Sequence, residues 1–152
     1  MKLYSLKREQ LVRAPLAVTW KYFSNPHNLK HITPPELGFT VTTPYLPDEI
    51  YPGLHIEYRV SPLLKIPLTW VTEITHVEKE TMFADEQRVG PYRIWSHKHF
   101  FRKDGKFTHM TDHVDYALPP VPFQGLVHSL IVKGKLEEIF AFRKTAVEKI
   151  FS

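Results

Sequence analysis

The chain contains no cysteine in its 152 residues. That excludes a disulfide framework, thiol chemistry and cysteine-bound zinc. It has no apolar run near the length of about 20 residues that spans a bilayer. Met1-Lys2-Leu3 leads straight into an alternating segment, so no signal peptide is expected and a cytoplasmic location is the default. Glycine is scarce, with six residues, and none builds a phosphate-binding loop or a nucleophile elbow. A dense basic run is missing too. The net charge of +4 is spread along the chain, which argues for a mildly basic surface and against a nucleic-acid partner, and with no spanning run no stable membrane insertion is expected.

What is present fits an ordinary globular chain, with 43% hydrophobic and 24% charged residues. Its length suggests one domain over residues 1–152 with a sizeable core. Tyr4 to Val12 alternates as a strand. Pro15 is placed for the start of a helix, whose apolar face is Leu16, Val18, Trp20, Tyr22 and Phe23. Asn25-Pro26 caps and opens a second short helix that carries Leu29 and Ile32, and Thr33-Pro34-Pro35 stops it. Strands are expected at Phe39 to Thr43, Leu54 to Val60, Leu68 to Val77 and Thr81 to Val89. Prolines from Pro44 to Pro52 and from Pro62 to Pro67 mark the turns between them. Glu78-Lys79-Glu80 reads as a hairpin loop that sets Thr72 near Gln87 and Ile74 near Asp85.

The stretch from Gly90 to Pro122 organises the rest. It reads as two long strands joined at Asp104-Gly105, since glycine accepts the positive φ that a two-residue hairpin needs. That loop pairs Trp95 with Val114, His97 with Asp112, His99 with Met110 and Phe101 with Thr108. Side chains alternate across a strand, so these residues and Tyr116 share one face. The face looks buried, yet it holds two histidines and an aspartate. An unpaired buried polar group costs roughly 1–3 kcal/mol or more. Either these groups satisfy one another or they line a cavity.

After Pro119-Pro120-Val121-Pro122 the period becomes helical. Ile139, Phe142, Ala146 and Ile150 recur three and four apart, with Leu136, Phe140 and Val147 widening the stripe. Arg143 falls among the charged residues assigned to the polar side. A helix of about 25 residues needs a broad surface to lie on. The expected architecture is α+β: a curved antiparallel sheet of about seven strands wrapped around a long C-terminal helix, with two short helices after the first strand.

The residues Ala14-Pro15 with Trp20 and Phe23, Asn25-Pro26 with Leu29, and Ile32-Thr33-Pro34-Pro35 carry a resemblance. So do Trp95-x-His97-x-His99-x-Phe101, Thr108-x-Met110-x-Asp112-x-Val114-x-Tyr116 and Phe140-x-Phe142-Arg143. Together they resemble the START/polyketide cyclase-like (SRPBCC, helix-grip) superfamily, in its bacterial ligand-binding branch. The resemblance implies the helix-grip fold. Its functions span cyclases, ring-hydroxylase subunits, lipid carriers and hormone receptors, so it assigns no catalytic residue.

The expected site is an apolar cavity between the sheet and the last helix. Its candidate lining is Tyr58, Trp70, Thr72, Gln87, Trp95, His97, His99, Met110, Asp112 and Tyr116. Mostly apolar walls with a few polar groups are the usual composition of a small-molecule site. The expected function is reversible binding or transport of a small hydrophobic molecule, lipid or polyketide-like. A carboxylate beside an imidazole also suits acid–base work. His97 with Asp112 would then serve a cyclase or dehydratase. A filled core acting as an interaction domain is the third alternative. His97, His99 and Asp112 have the residue types of a metal site, and His27 and His31 are four apart on a short helix. Neither spacing is diagnostic, so no metal and no cofactor are expected.

Overall fold

The computed structural model describes residues 1–62 and 65–152. The expected turn from Pro62 to Pro67 therefore falls partly outside the described residues. Strand β1 (Tyr4–Val12) leads into helix α1 (Leu16–Phe23), then 3₁₀ turns at Pro26–His31 and Pro35–Leu37. Asn25 caps the first of these turns, accepting from the His27 amide at 3.0 Å. Six more strands follow: β2 (Thr40–Val41), β3 (His55–Val60), β4 (Leu68–Glu78), β5 (Met82–Val89), β6 (Ile94–Asp104) and β7 (Phe107–Ala117). The chain ends in α2 (Gln124–Val127), a π turn (His128–Val132) and α3 (Lys133–Ile150).

Among the described residues the seven strands form one antiparallel sheet in the order β1-β7-β6-β5-β4-β3-β2. The expected sheet and its long closing helix are both present. The loop between β4 and β5 gives the expected pairs, Thr72 with Gln87 and Ile74 with Asp85. Irregularities between Val71 and Thr72 and between Ile74 and His76 add local bend and twist to this pair.

The central hairpin differs from its expected register. Its two-residue loop is Gly105-Lys106, with Asp104 paired to Phe107. Gly105 has φ +61°, so glycine occupies the first central position, not the second. Each partner consequently moves by two residues. His97 lies opposite Val114, His99 opposite Asp112 and Trp95 opposite Tyr116. A shift of two leaves every side chain on its expected face, because the pleat has period two. His97, His99, Phe101, Thr108, Met110, Asp112, Val114 and Tyr116 are all buried.

Helix α3 is also rotated from its expected orientation. Leu136, Phe140 and Val147 are its buried residues, whereas Ile150 is 41% exposed. One apolar cluster joins Leu136, Phe140 and Val132 to Trp70, Tyr92, Val114 and Tyr116. A second joins Val147 to Trp20, Phe23, Phe83, Phe101 and Met110. The last helix thus packs on the buried sheet face through both clusters.

Candidate functional site

A polar belt separates the two apolar clusters. Along β6 the buried face runs Trp95, His97, His99, Phe101. Along β7 it runs Tyr116, Val114, Asp112, Met110. On β5 Asp85 follows Phe83, and on α3 Arg143 stands between Phe140 and Val147. In each element the polar residue sits between apolar residues of the two clusters, or at the edge of one. Strand pairing fixes this alignment, with Asp85 opposite His97 and His99 opposite Asp112.

The belt is closely connected. His97 Nε2 donates to Asp112 Oδ1 at 2.9 Å. Arg143 Nη2 donates to the same oxygen at 3.2 Å. His99 Nε2 donates to Asp85 Oδ2 at 2.8 Å. His99 Nδ1 lies 3.2 Å from Asp112 Oδ1, off the angle of a good hydrogen bond. The two imidazoles stack at 3.7 Å, and Phe83 stacks on His99 at 3.9 Å.

Burial alone would raise the Asp112 carboxyl. The Arg143 guanidinium, then the His97 hydrogen bond and the close His99 ring, outweigh it and hold Asp112 well below the usual carboxylate range. Burial lowers His97, and the neighbouring His99 lowers it further. Burial also acts to lower His99, but the Asp112 and Asp85 carboxylates outweigh it and raise this residue. The two shifts run in opposite directions, so of the two rings His99 holds a proton the more readily. With Nε2–H committed to Asp112, Nδ1 of His97 is left as an acceptor.

One wall of a cavity of about 200 Å³ carries this belt. Tyr58, Trp70, Thr72, Trp95, His97 and His99 border it from the sheet. Leu136, Ile139, Phe140 and Arg143 border it from α3, and Tyr22, Phe23, Leu29 and Ile32 from the segment after β1. Trp70 Nε1 donates to Thr72 Oγ1 at 3.1 Å, which satisfies the buried indole N–H.

Four of the sequence-derived candidates do not border this cavity. Gln87 is a backbone clip: its side chain donates to the Tyr92 carbonyl at 2.6 Å and accepts from the Tyr92 amide at 3.1 Å. Met110 is packed into the core at 1% exposure. Tyr116 donates to His128 Nε2 at 2.7 Å, while Tyr4 stacks on His128 at 3.5 Å. Asp112 stands behind the two histidines and faces a separate recess with Arg8, Gln10 and Lys144. His27 and His31 do not form a ligand pair, since their turn is 3₁₀ and residues three apart share a face there. His27 instead bonds the Leu46 carbonyl at 2.9 Å.

Sequence reasoning missed Asp85 and Arg143. Arg143 had a readable mark: it follows Phe140 by three and precedes Val147 by four, so it lies on their stripe. Asp85 had one as well, because its expected partner Ile74 lies on the buried face.

No protein-family model matches the chain. No curated protein matches it in sequence. Solved structures do match over nearly the whole length. An aromatase/cyclase from Streptomyces is 15% identical, with 97% of this chain and 93% of that one covered and a TM-score of 0.72. A major latex-like protein from Panax ginseng is 13% identical, with 99% and 98% covered and a TM-score of 0.71. Norcoclaurine synthase from Thalictrum, solved with a transition-state analogue, is 18% identical, with 99% and 98% covered and a TM-score of 0.65. At these identities the likeness is one of fold. The chain has the helix-grip fold that these structures share.

Proposed function

We propose that this protein binds a compact hydrophobic molecule in the cavity between the sheet and α3. The carrying observation is the composition of the wall: aromatic and aliphatic side chains, interrupted by one paired polar belt. Burying ions costs several kcal/mol each, and well-packed apolar residues often serve stability better. A belt of four ionised or ionisable groups beside His97 is better explained by a bound molecule than by stability alone. The size of the space sets the ligand class. An apolar cavity of about 150 Å³ holds benzene, and drug-sized ligands occupy about 300–1,000 Å³. A cavity of about 200 Å³ suits one or two rings or a short acyl chain. His97 Nδ1 accepts a hydrogen bond from the ligand's polar end.

Binding is tested by displacing a fluorescent hydrophobic probe with small aromatic compounds. Ile139→Trp fills the cavity from α3 and abolishes binding with the fold intact by circular dichroism. Unchanged binding in that variant would sink the cavity reading. His97→Ala weakens a phenolic ligand about tenfold, the worth of one lost hydrogen bond at roughly 1.4 kcal/mol, and leaves an apolar analogue unaffected.

The His97–Asp112 bond also favours a second reading, an enzyme of the cyclase or dehydratase type. Asp112 orients the imidazole, and the Nδ1 lone pair takes a proton from carbon beside a bound carbonyl. Turnover of such a compound, lost in His97→Ala with binding of apolar ligands retained, distinguishes enzyme from carrier.

A further inference from the structure

We propose that Asp85, His97 and His99 bind a divalent transition-metal ion of the zinc class on the cavity wall. Two adjacent strands present the three ligands. Asp85 on β5 lies directly opposite His97 on β6, and His99 is two residues further along the same face. One donor atom from each lies within 4.8 Å of the others. Bonds of about 2.0–2.2 Å to a tetrahedral ion need donors roughly 3.4 Å apart, so side-chain rotation of about an ångström closes the site. Two imidazoles with one carboxylate match borderline metals such as zinc, cobalt and ferrous iron. Calcium and magnesium prefer all-oxygen sets with more ligands.

The surroundings are those that orient metal-binding histidines. His97 Nε2 donates to Asp112 Oδ1 at 2.9 Å, and His99 Nδ1 lies 3.2 Å from that oxygen. Asp112 thereby orients the His97 ring and leaves its Nδ1 for the ion, while His99 Nε2 already faces Asp85. Arg143 bonds the same Asp112 oxygen at 3.2 Å, which keeps Asp112 behind the rings and leaves Asp85 as the carboxylate ligand. Phe83, stacked at 3.9 Å, fixes the His99 plane. The ion takes the place of the proton shared by His99 Nε2 and Asp85 Oδ2, and that proton leaves to solvent.

Three protein ligands leave a coordination position open, and all three residues border the cavity. With the ion bound, that position takes over the polar contact assigned above to His97 Nδ1. The metal site does not depend on the proposed hydrophobic ligand, and the probe used for it is the metal alone.

Chelator-treated protein is titrated calorimetrically with zinc, and with cobalt while the visible absorption is recorded. The expected result is one saturable equivalent at micromolar or tighter affinity, with cobalt bands of a low-coordinate site. Asp85→Asn, which preserves shape, weakens binding at least about tenfold, and Asp112→Asn weakens it about 10–100-fold. His97→Ala with His99→Ala removes the cobalt bands, whereas His27→Ala changes nothing. Circular dichroism establishes that each variant is folded. Absence of saturable binding to the wild-type protein overturns the proposal. Full affinity in Asp85→Asn, or cobalt bands that survive the double histidine variant, overturns it equally. Displacement of a hydrophobic probe is read on the metal-free wild-type protein, so failure of the metal site and failure of the cavity reading are separately visible.

Discussion

Arg143 is the residue on which the belt turns. Its guanidinium bonds Asp112 at 3.2 Å and lies over the Phe23 ring at 5.5 Å, with its side chain 12% exposed. Removing one member of a buried ion pair costs about 3–5 kcal/mol, because the other charge is left uncompensated. Arg143→Met should therefore cost about 3 kcal/mol in urea denaturation. Combining it with Asp112→Asn should cost less than the sum of the singles, since the second change removes the orphaned charge. His128 supports a pH prediction. Burial, then Lys133 and Lys2, lower its pKa from the ordinary 6.5. In the window between the lowered folded value and 6.5 the unfolded chain binds more protons, so stability rises with pH there. Stability is full above that window and falls as pH drops through it. Thermal melts should show a smaller loss on acidification in His128→Gln than in the wild type.

Among the elements, the β6–β7 hairpin and α3 carry the site. A Cβ at Gly105 would touch nothing within 4 Å, so Gly105→Ala tests backbone conformation alone. At φ +61° the cost should be about 1–2 kcal/mol by urea denaturation. Helix α3 supplies a matched pair of tests. Phe140 is buried and Ile150 exposed. Phe140→Ala should cost about 3–5 kcal/mol, and Ile150→Ala should stay within about 0.5 kcal/mol. Equal costs would mean that the helix presents the stripe of Ile139, Phe142, Ala146 and Ile150 instead. That stripe was the sequence expectation, and the reason it failed is specific. Treating Arg143 as polar surface moved the apparent centre of the apolar face away from Leu136, Phe140 and Val147. A buried ion pair can place a charged residue inside that face, and hydropathy periodicity does not distinguish the two cases.

For the molecule as a whole, the sheet order sets a gradient of stability. β6 and β7 are interior strands with eleven residues each, whereas β2 is a two-residue edge strand. Amides of β6 and β7 should exchange slowest, and those of β2 should exchange fastest among the strands. A bound cavity ligand at 100 times its dissociation constant should add about 2.7 kcal/mol of stability, read as a rise in Tm.

The amino-acid sequence by itself determined the strand and helix periods, the central turn to within one residue, and which face of the central hairpin is buried. These follow from local rules: alternation, capping and positive φ act over a few residues. It also placed His97, His99 and Asp112 on one face, because a register shift of two preserves facing. Only the tertiary structure decided that Asp112 stands behind the histidines, that Gln87 clips Tyr92, and that Asp85 and Arg143 complete the belt. Those relations join residues from β5, β6, β7 and α3. They depend on the combined registers of three strands and on the rotation of a helix about its axis, which no single local pattern fixes.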